Sequence, residues 1–270
     1  MEVIKVEQPK AQGLEKKTTV SESRISIVIQ KCSTHGLTPH KVLRGPIGIE
    51  IDICTVCASE READEKESGE RDKRLLLRAA QADTNARLQC AMIAPRFQDA
   101  TLENFKMIGQ GQGKALVASQ WLLDNLDSGT PGLIFIGKNG TGKNHLASGI
   151  VRKAVQEHGK TALITKVRRL DRTIKEAWRK DGLESEAIKS FSAPDLLVID
   201  EVGLQRGSET EILHLAEIID DRYEAKKPTI LCGNVSWPEL QALIGDRAAD
   251  RFREGGKIVV FDWESYRGKK

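Results

Sequence analysis

Beyond residue 95, short apolar runs alternate with longer stretches whose apolar positions recur every three or four residues. The runs are Leu133-Ile134-Phe135-Ile136, Thr161-Ala162-Leu163-Ile164-Thr165, Leu196-Leu197-Val198-Ile199, Thr229-Ile230-Leu231-Cys232-Gly233 and Lys257-Ile258-Val259-Val260-Phe261. Continuous apolar runs of this length read as strands buried on both faces, as in a parallel sheet. Helical spacing between them predicts helices over residues 114–127, 143–157 and 209–225, a basic helix after residue 165, and a short helix opening at Trp237. Gly159 reads as the stop of the second of these.

The pattern before residue 95 is different. Residues 1–24 offer little to bury and read as a mobile tail. Ile25 to Gln30 form a strand candidate, and Ile47, Ile49, Ile51 and Ile53 alternate as in a half-buried β segment. From Ser59 to Arg78 both charge signs are densely mixed, which marks a solvated helix or linker. Leu75 to Ile93 suggest that this helix becomes partly buried, with Cys90 in a core, until Pro95 ends it. The expected organisation is a tail (1–24), a small module (25–58), a charged helical linker (59–94) and an α/β domain (95–270).

Composition narrows the class. A hydrophobic content of 39% fits a packed core, and a net charge of +3 is too small to mark a nucleic-acid binder, so only local clusters bear on that question. Without a signal-peptide core or an apolar run of membrane length, a cytoplasmic location without a membrane partner is the expectation. The five cysteines then read as thiols or metal ligands rather than disulfides.

Two ligand pairs in the module, Cys32 with His35 and Cys54 with Cys57, each have two residues between them. Such pairs across a β segment match a closed tetrahedral zinc site, structural because no position is left open for a substrate. His40 is the substitute for His35.

Following the first strand of the domain, Gly137-Lys138-Asn139-Gly140-Thr141-Gly142-Lys143-Asn144 forms a phosphate-binding loop, with His145 opening the helix behind it. Glycines let backbone N–H groups approach phosphate oxygens, and Lys143 supplies a point charge. The last position normally carries a Ser or Thr hydroxyl for magnesium. Here it is Asn144, whose amide oxygen is the substitute.

The third strand ends in Asp200-Glu201, placing Asp200 to hold magnesium and Glu201 to polarise the attacking water. Asn234, ending the fourth strand, fits a contact to the γ-phosphate or a turn-forming residue. Arg247, Arg251 and Arg253 suit a solvated face or a neighbouring subunit's nucleotide. The basic helix carries Lys166, Arg168, Arg169, Arg172, Lys175, Arg179 and Lys180 around an apolar side of Leu170, Ile174, Ala177 and Trp178. A solvated face and a surface tracking single-stranded DNA phosphates both fit it.

Residues from about 95 to 267 resemble the AAA+ ATPase domain of DnaC-type replicative helicase loaders. The matching stretches are Gly140 to Ala147, Asp195 to Gly203, Gly245-Asp246-Arg247 with Asp250-Arg251, and Asp262-Trp263-Glu264-Ser265-Tyr266-Arg267. Asn144 is itself a feature of those loaders, whereas the related transposition helpers generally carry Thr. The resemblance implies an AAA+ P-loop fold with a five-stranded parallel sheet, the strand of Asp200 apart from its sequence neighbour. It also implies ATP at the strands' carboxyl edge and ATP-linked assembly into a spiral. By the same resemblance Asn234 is the γ-phosphate sensor, Arg251 the arginine finger with Arg247 as fallback, and Arg267 a second sensor. The expected function is loading a hexameric replicative helicase onto single-stranded DNA with weak ATP hydrolysis. A transposition helper and a non-catalytic zinc-module adaptor are the alternatives.

Overall fold

The computed structural model describes residues 24–44, 50–204 and 209–267. The expected tail, apart from Arg24, and the Gly45-Pro46 turn with Ile47 and Ile49 lie outside the described residues. The chain divides into two compact units, Met1–Leu77 and Arg78–Lys270, and the division falls inside a helix.

In the first unit, β1 (Arg24–Cys32), β2 (Gly36–Arg44) and β3 (Glu50–Cys54) form an antiparallel meander. Helix α1 (Thr55–Cys90) follows directly and buries none of its residues. Its charges pair along its own length, as Arg71 does with Glu67 at 2.6 Å, so the helix is stabilised locally rather than by a core. Cys90 is exposed, contrary to expectation, and Ala91, one residue past the helix, is the buried position.

The second unit places a five-stranded sheet between two helical layers. Its strands are β4 (Gly132–Gly137), β5 (Ala162–Lys166), β6 (Leu196–Val202), β7 (Thr229–Gly233) and β8 (Lys257–Phe261), in the order β5-β6-β7-β4-β8 with every pairing parallel. Alternate side chains of β4, β5, β6 and β7 enter opposite cores, whereas β8, at the sheet edge, buries Val259 and Phe261 on one face and leaves Ile258 and Val260 exposed on the other. Leu133, Phe135, Val198 and Cys232 pack beneath α2 (Gln110–Asp124) and α3 (Lys143–Gln156). Ile134, Ile136, Leu197 and Ile199 pack against α4 (Val167–Asp181), α5 (Glu184–Ser192), α6 (Glu209–Glu224), α7 (Trp237–Ile244) and α8 (Asp246–Gly255).

One expectation about the sheet is corrected. The strand of Asp200, β6, lies between β5 and β7, its neighbours in sequence, whereas β4 is separated from β5 by β7 and β6. The consequence is that β7 runs between the strand feeding the phosphate loop and the strand carrying Asp200, so that their three carboxyl ends form one edge.

The opposite edge is held by Arg222 of α6, which is fully buried. Its guanidinium donates to the carbonyls of Ser192, Pro194, Asp195 and Pro228 at 2.6–3.2 Å and to Thr229 Oγ1 at 2.9 Å. Burial pushes its pKa down to about 9, yet the surrounding carbonyls satisfy its donors where chain enters β6 and β7.

Candidate nucleotide site and metal cluster

The loop from Gly137 to Lys143 leaves the end of β4 and enters α3, with Gly142 as the helix's first capping residue at φ +98°, a left-handed conformation suited to glycine. Thr141 Oγ1 donates to the Lys138 carbonyl at 2.8 Å. Lys143 is buried, and its ammonium donates to the Gly137 and Lys138 carbonyls at 2.8 and 2.7 Å. Burial lowers its pKa, so the loop holds a poorly hydrated cation, which favours a negatively charged ligand. Asn139 is exposed at the loop's turn. His145 makes a different connection: its Nε2 lies 2.9 Å from the Thr101 carbonyl oxygen and its ring packs 5.6 Å from that of Phe105.

Asn144 Nδ2 donates to Asp200 Oδ2 at 2.5 Å, which leaves the amide oxygen as an acceptor for a cation. Burial raises the Asp200 pKa, opposed by this bond and by the Glu201 backbone N–H at 2.8 Å. A half-buried carboxylate beside an amide oxygen fits the oxygen preference of magnesium.

Between Ile199 and Val202 the pairing of β6 with β7 shifts register. Glu201, inside that irregularity, has φ +61°, an uncommon conformation for a residue with a side chain. The Glu201 carboxylate is paired with Lys166 Nζ at 2.7 Å, joining it to the residue that precedes α4. Asn234 follows β7 immediately, at the edge between Asp200 and the phosphate loop, and is exposed.

The arginines divide by environment. Arg251 on α8 has a side chain only 12% exposed, pairs with Asp220 of α6 and stacks 4.3 Å from the Tyr223 ring centroid. Arg247 is 72% exposed and lies 3.6 Å from the same carboxylate. Arg253 pairs with Asp250 at 2.9 Å and lies over Trp237.

Two contributors were missed in the sequence. The indole N–H of Trp263 donates to the Thr141 carbonyl at 3.0 Å, and the Tyr266 backbone N–H donates to the Gly140 carbonyl at 2.9 Å. A backbone donor leaves no compositional trace, and Trp263 stood within a stretch matching the loaders without a role of its own.

The pattern of the family described as IstB-like ATP binding protein matches residues 59–270. The chain belongs to this IstB/DnaC-type ATP-binding family. The replicative helicase loader DnaC of Escherichia coli (strain K12) is 36% identical over 179 residues, which make up 66% of this chain and 73% of that protein. A replication initiator DnaA solved with AMPPCP and single-stranded DNA is 29% identical, with a TM-score of 0.55 over 64% of this chain and 52% of that one. A crystal structure of the DnaC helicase loader matches in fold at 24% identity and a TM-score of 0.56, over 62% of this chain and 99% of that one.

The IstB-like match does not cover the meander. There Cys32, His35, Cys54 and Cys57 converge, their ligand atoms all within 4.8 Å of one another. The Cys32–Cys57 sulfur separation is 3.6 Å and His35 Nδ1 lies 3.4 Å from Cys57 Sγ. Tetrahedral zinc with bonds of about 2.3 Å to sulfur has edges near 3.8 Å, so the donors fit that ion. His35 Nε2 lies 3.1 Å from Glu60 Oε1, the outer carboxylate contact usual for a metal-binding histidine. His40 instead engages Asp52 at 2.7 Å, and Cys57 belongs to the first turn of α1 rather than a free knuckle.

Proposed function

We propose that this chain is an ATP-dependent loader of a hexameric replicative helicase onto single-stranded DNA, in which ATP binding and hydrolysis time the delivery and release of the helicase. The observation that carries the reading is the Asn144–Asp200 pair within a phosphate-loop site, in a chain 36% identical to a DnaC loader.

Lys143 and the backbone of Gly137, Asn139, Gly140, Thr141 and Gly142 hold the phosphates, and His145 braces the start of α3. Asn144 and Asp200 hold Mg2+, which when bound neutralises charge on the phosphates. Glu201, released from Lys166, accepts the proton of the attacking water. Asn234 contacts the γ-phosphate, and Arg251 completes the site of the next subunit in a spiral of copies. The Cys32, His35, Cys54 and Cys57 cluster holds structural Zn2+.

Helix α4 supplies the DNA surface. Arg168, Arg169, Arg172, Arg179 and Lys180 are exposed, and Trp178, expected on the helix's apolar side, is 62% exposed among them. Cations interleaved with an exposed aromatic suit a phosphate backbone whose bases stack.

The test is co-purification of the chain with a hexameric helicase, followed by transfer of that helicase to single-stranded DNA with ATP. Charge reversal at Arg168, Arg169 and Arg172, and separately Trp178→Ala, should weaken DNA binding at least tenfold. Recovery of a transposase in place of a helicase would overturn the loader reading in favour of a transposition helper. ATP turnover unchanged by Glu201→Gln would favour the adaptor.

A further inference from the structure

The segment Asp262–Arg267 crosses the outside of the phosphate loop, and two of its N–H groups engage consecutive loop carbonyls. Trp263 Nε1 takes Thr141 at 3.0 Å, and the Tyr266 backbone takes Gly140 at 2.9 Å. We infer that this segment is a strap that fixes the phosphate loop in its binding conformation, with Trp263 and Tyr266 as positioning residues for nucleotide. The inference rests on the chain's ATP-binding role, independent of helicase loading.

Both ends of the strap are anchored. At one end the Trp263 ring stacks 4.6 Å from that of Phe261, which lies 5.1 Å from Phe135 in the strand feeding the loop. At the other, the Tyr266 hydroxyl donates to the Lys106 carbonyl at 2.6 Å and its ring meets Phe105 edge-on at 6.1 Å. The loop is therefore gripped between the end of β8 and the chain that precedes α2.

Two glycines are shaped to this strap. A Cβ on Gly111 of α2 would come within 2.8 Å of the Trp263 ring, so that helix clears the space the indole fills. Gly140 has φ +75°, and a Cβ there would collide with Ser265 Oγ. Gly140 thus meets two demands: a left-handed backbone turn and passage of the strap.

The physical effect follows from the carbonyls engaged. Binding phosphate requires the loop's N–H groups to face inward, and each peptide whose N–H faces inward turns its C=O outward. Outside donors at Gly140 and Thr141 satisfy those outward carbonyls and hold that orientation. Less ordering is then left to the moment of binding.

The test compares Trp263→Phe, which removes the N–H and keeps an aromatic ring, with Tyr266→Phe, which removes only the distal anchor. Calorimetric ATP titration and steady-state turnover are measured on the full chain. Trp263→Phe is expected to weaken ATP binding about five- to tenfold, the scale of one net hydrogen bond, with the loss in KM rather than kcat. Tyr266→Phe should give a smaller loss in the same direction.

A second measurement replaces Trp121, Trp178 and Trp237 by Phe so that Trp263 alone reports. Its emission should change on adding ATP and stay constant on adding adenosine, which lacks phosphate. An unchanged ATP affinity in Trp263→Phe, or a lowered melting temperature with KM unaltered, would overturn the strap and leave Trp263 a packing residue. Absence of ATP binding by the parent chain would instead remove the ATP-binding role itself.

Discussion

Asn144 Nδ2 donates to Asp200 Oδ2 at 2.5 Å, so the last residue of the phosphate loop and the acid of β6 are joined side chain to side chain. A Ser or Thr hydroxyl is shorter and sits closer to its own backbone. The amide reaches the carboxylate and still keeps one oxygen for a cation.

Removing the amide should therefore affect magnesium more than nucleotide. Asn144→Ala is expected to lower ATP affinity about tenfold in the presence of Mg2+ and to leave it little changed in EDTA. Asn144→Thr, which restores a hydroxyl, should retain most of the Mg2+-dependent affinity. Parallel calorimetric titrations with and without Mg2+ check both.

Asp200 carries a stability cost that pH can expose. Burial raises its folded-state pKa, so folding favours the proton; its contribution is most favourable below the ordinary Asp value of about 3.9 and is lost as pH rises through the folded-state pKa. Asp200→Asn should melt higher than the parent at pH 7, by about 2–4 °C for each kcal/mol relieved, with the difference shrinking toward pH 4. The same variant should hydrolyse no ATP. Thermal melts from pH 4 to 8 without nucleotide read the first effect, and a phosphate-release assay reads the second.

Arg251 poses a question of which subunit it serves. Its pairing with Asp220 and stacking on Tyr223 hold it on α8 within its own chain. Acting on a neighbour's nucleotide, Arg251→Ala should lose at least about 100-fold in turnover. Mixing it with Glu201→Gln should then restore measurable activity, because mixed interfaces contain one intact Glu201 and one intact Arg251. Arg247→Ala, removing the more exposed guanidinium, is the comparison. Full activity in Arg251→Ala would assign Arg251 to packing alone, and a loss that the mixture does not restore would overturn its action on a neighbouring subunit.

The metal cluster is tested by elemental analysis. The parent chain should carry about one zinc ion, and the Cys54→Ser, Cys57→Ser double variant none. Circular dichroism should show loss of the meander, while the melting of the ATP-binding unit, followed through bound nucleotide, should not move.

The apolar runs were legible because strands covered on both faces need continuous hydrophobic side chains, and all five form strands where their pattern put them, although β8, at the sheet edge, is covered on one face only and leaves Ile258 and Val260 exposed. The phosphate loop was legible for a related reason: its glycines and lysine meet a local backbone demand. The place of β6 was not, since local periodicity carries no information about which parallel strands pair. Cys90 and Trp178 show another limit, because helical spacing marks a face without saying whether anything covers it. The strap escaped notice because one of its two loop contacts comes from a backbone N–H, which every residue but proline possesses.

Arg222 gives the sheet unequal ends. At the amino ends of β6 and β7 its guanidinium ties together carbonyls from both entering segments and the end of α5. At their carboxyl ends stand Asp200, Glu201 and Asn234, with a register shift and a left-handed residue among them. The two strands are thus anchored like tines in a handle, tied together at their amino ends by Arg222 and bearing the site residues at their free tips.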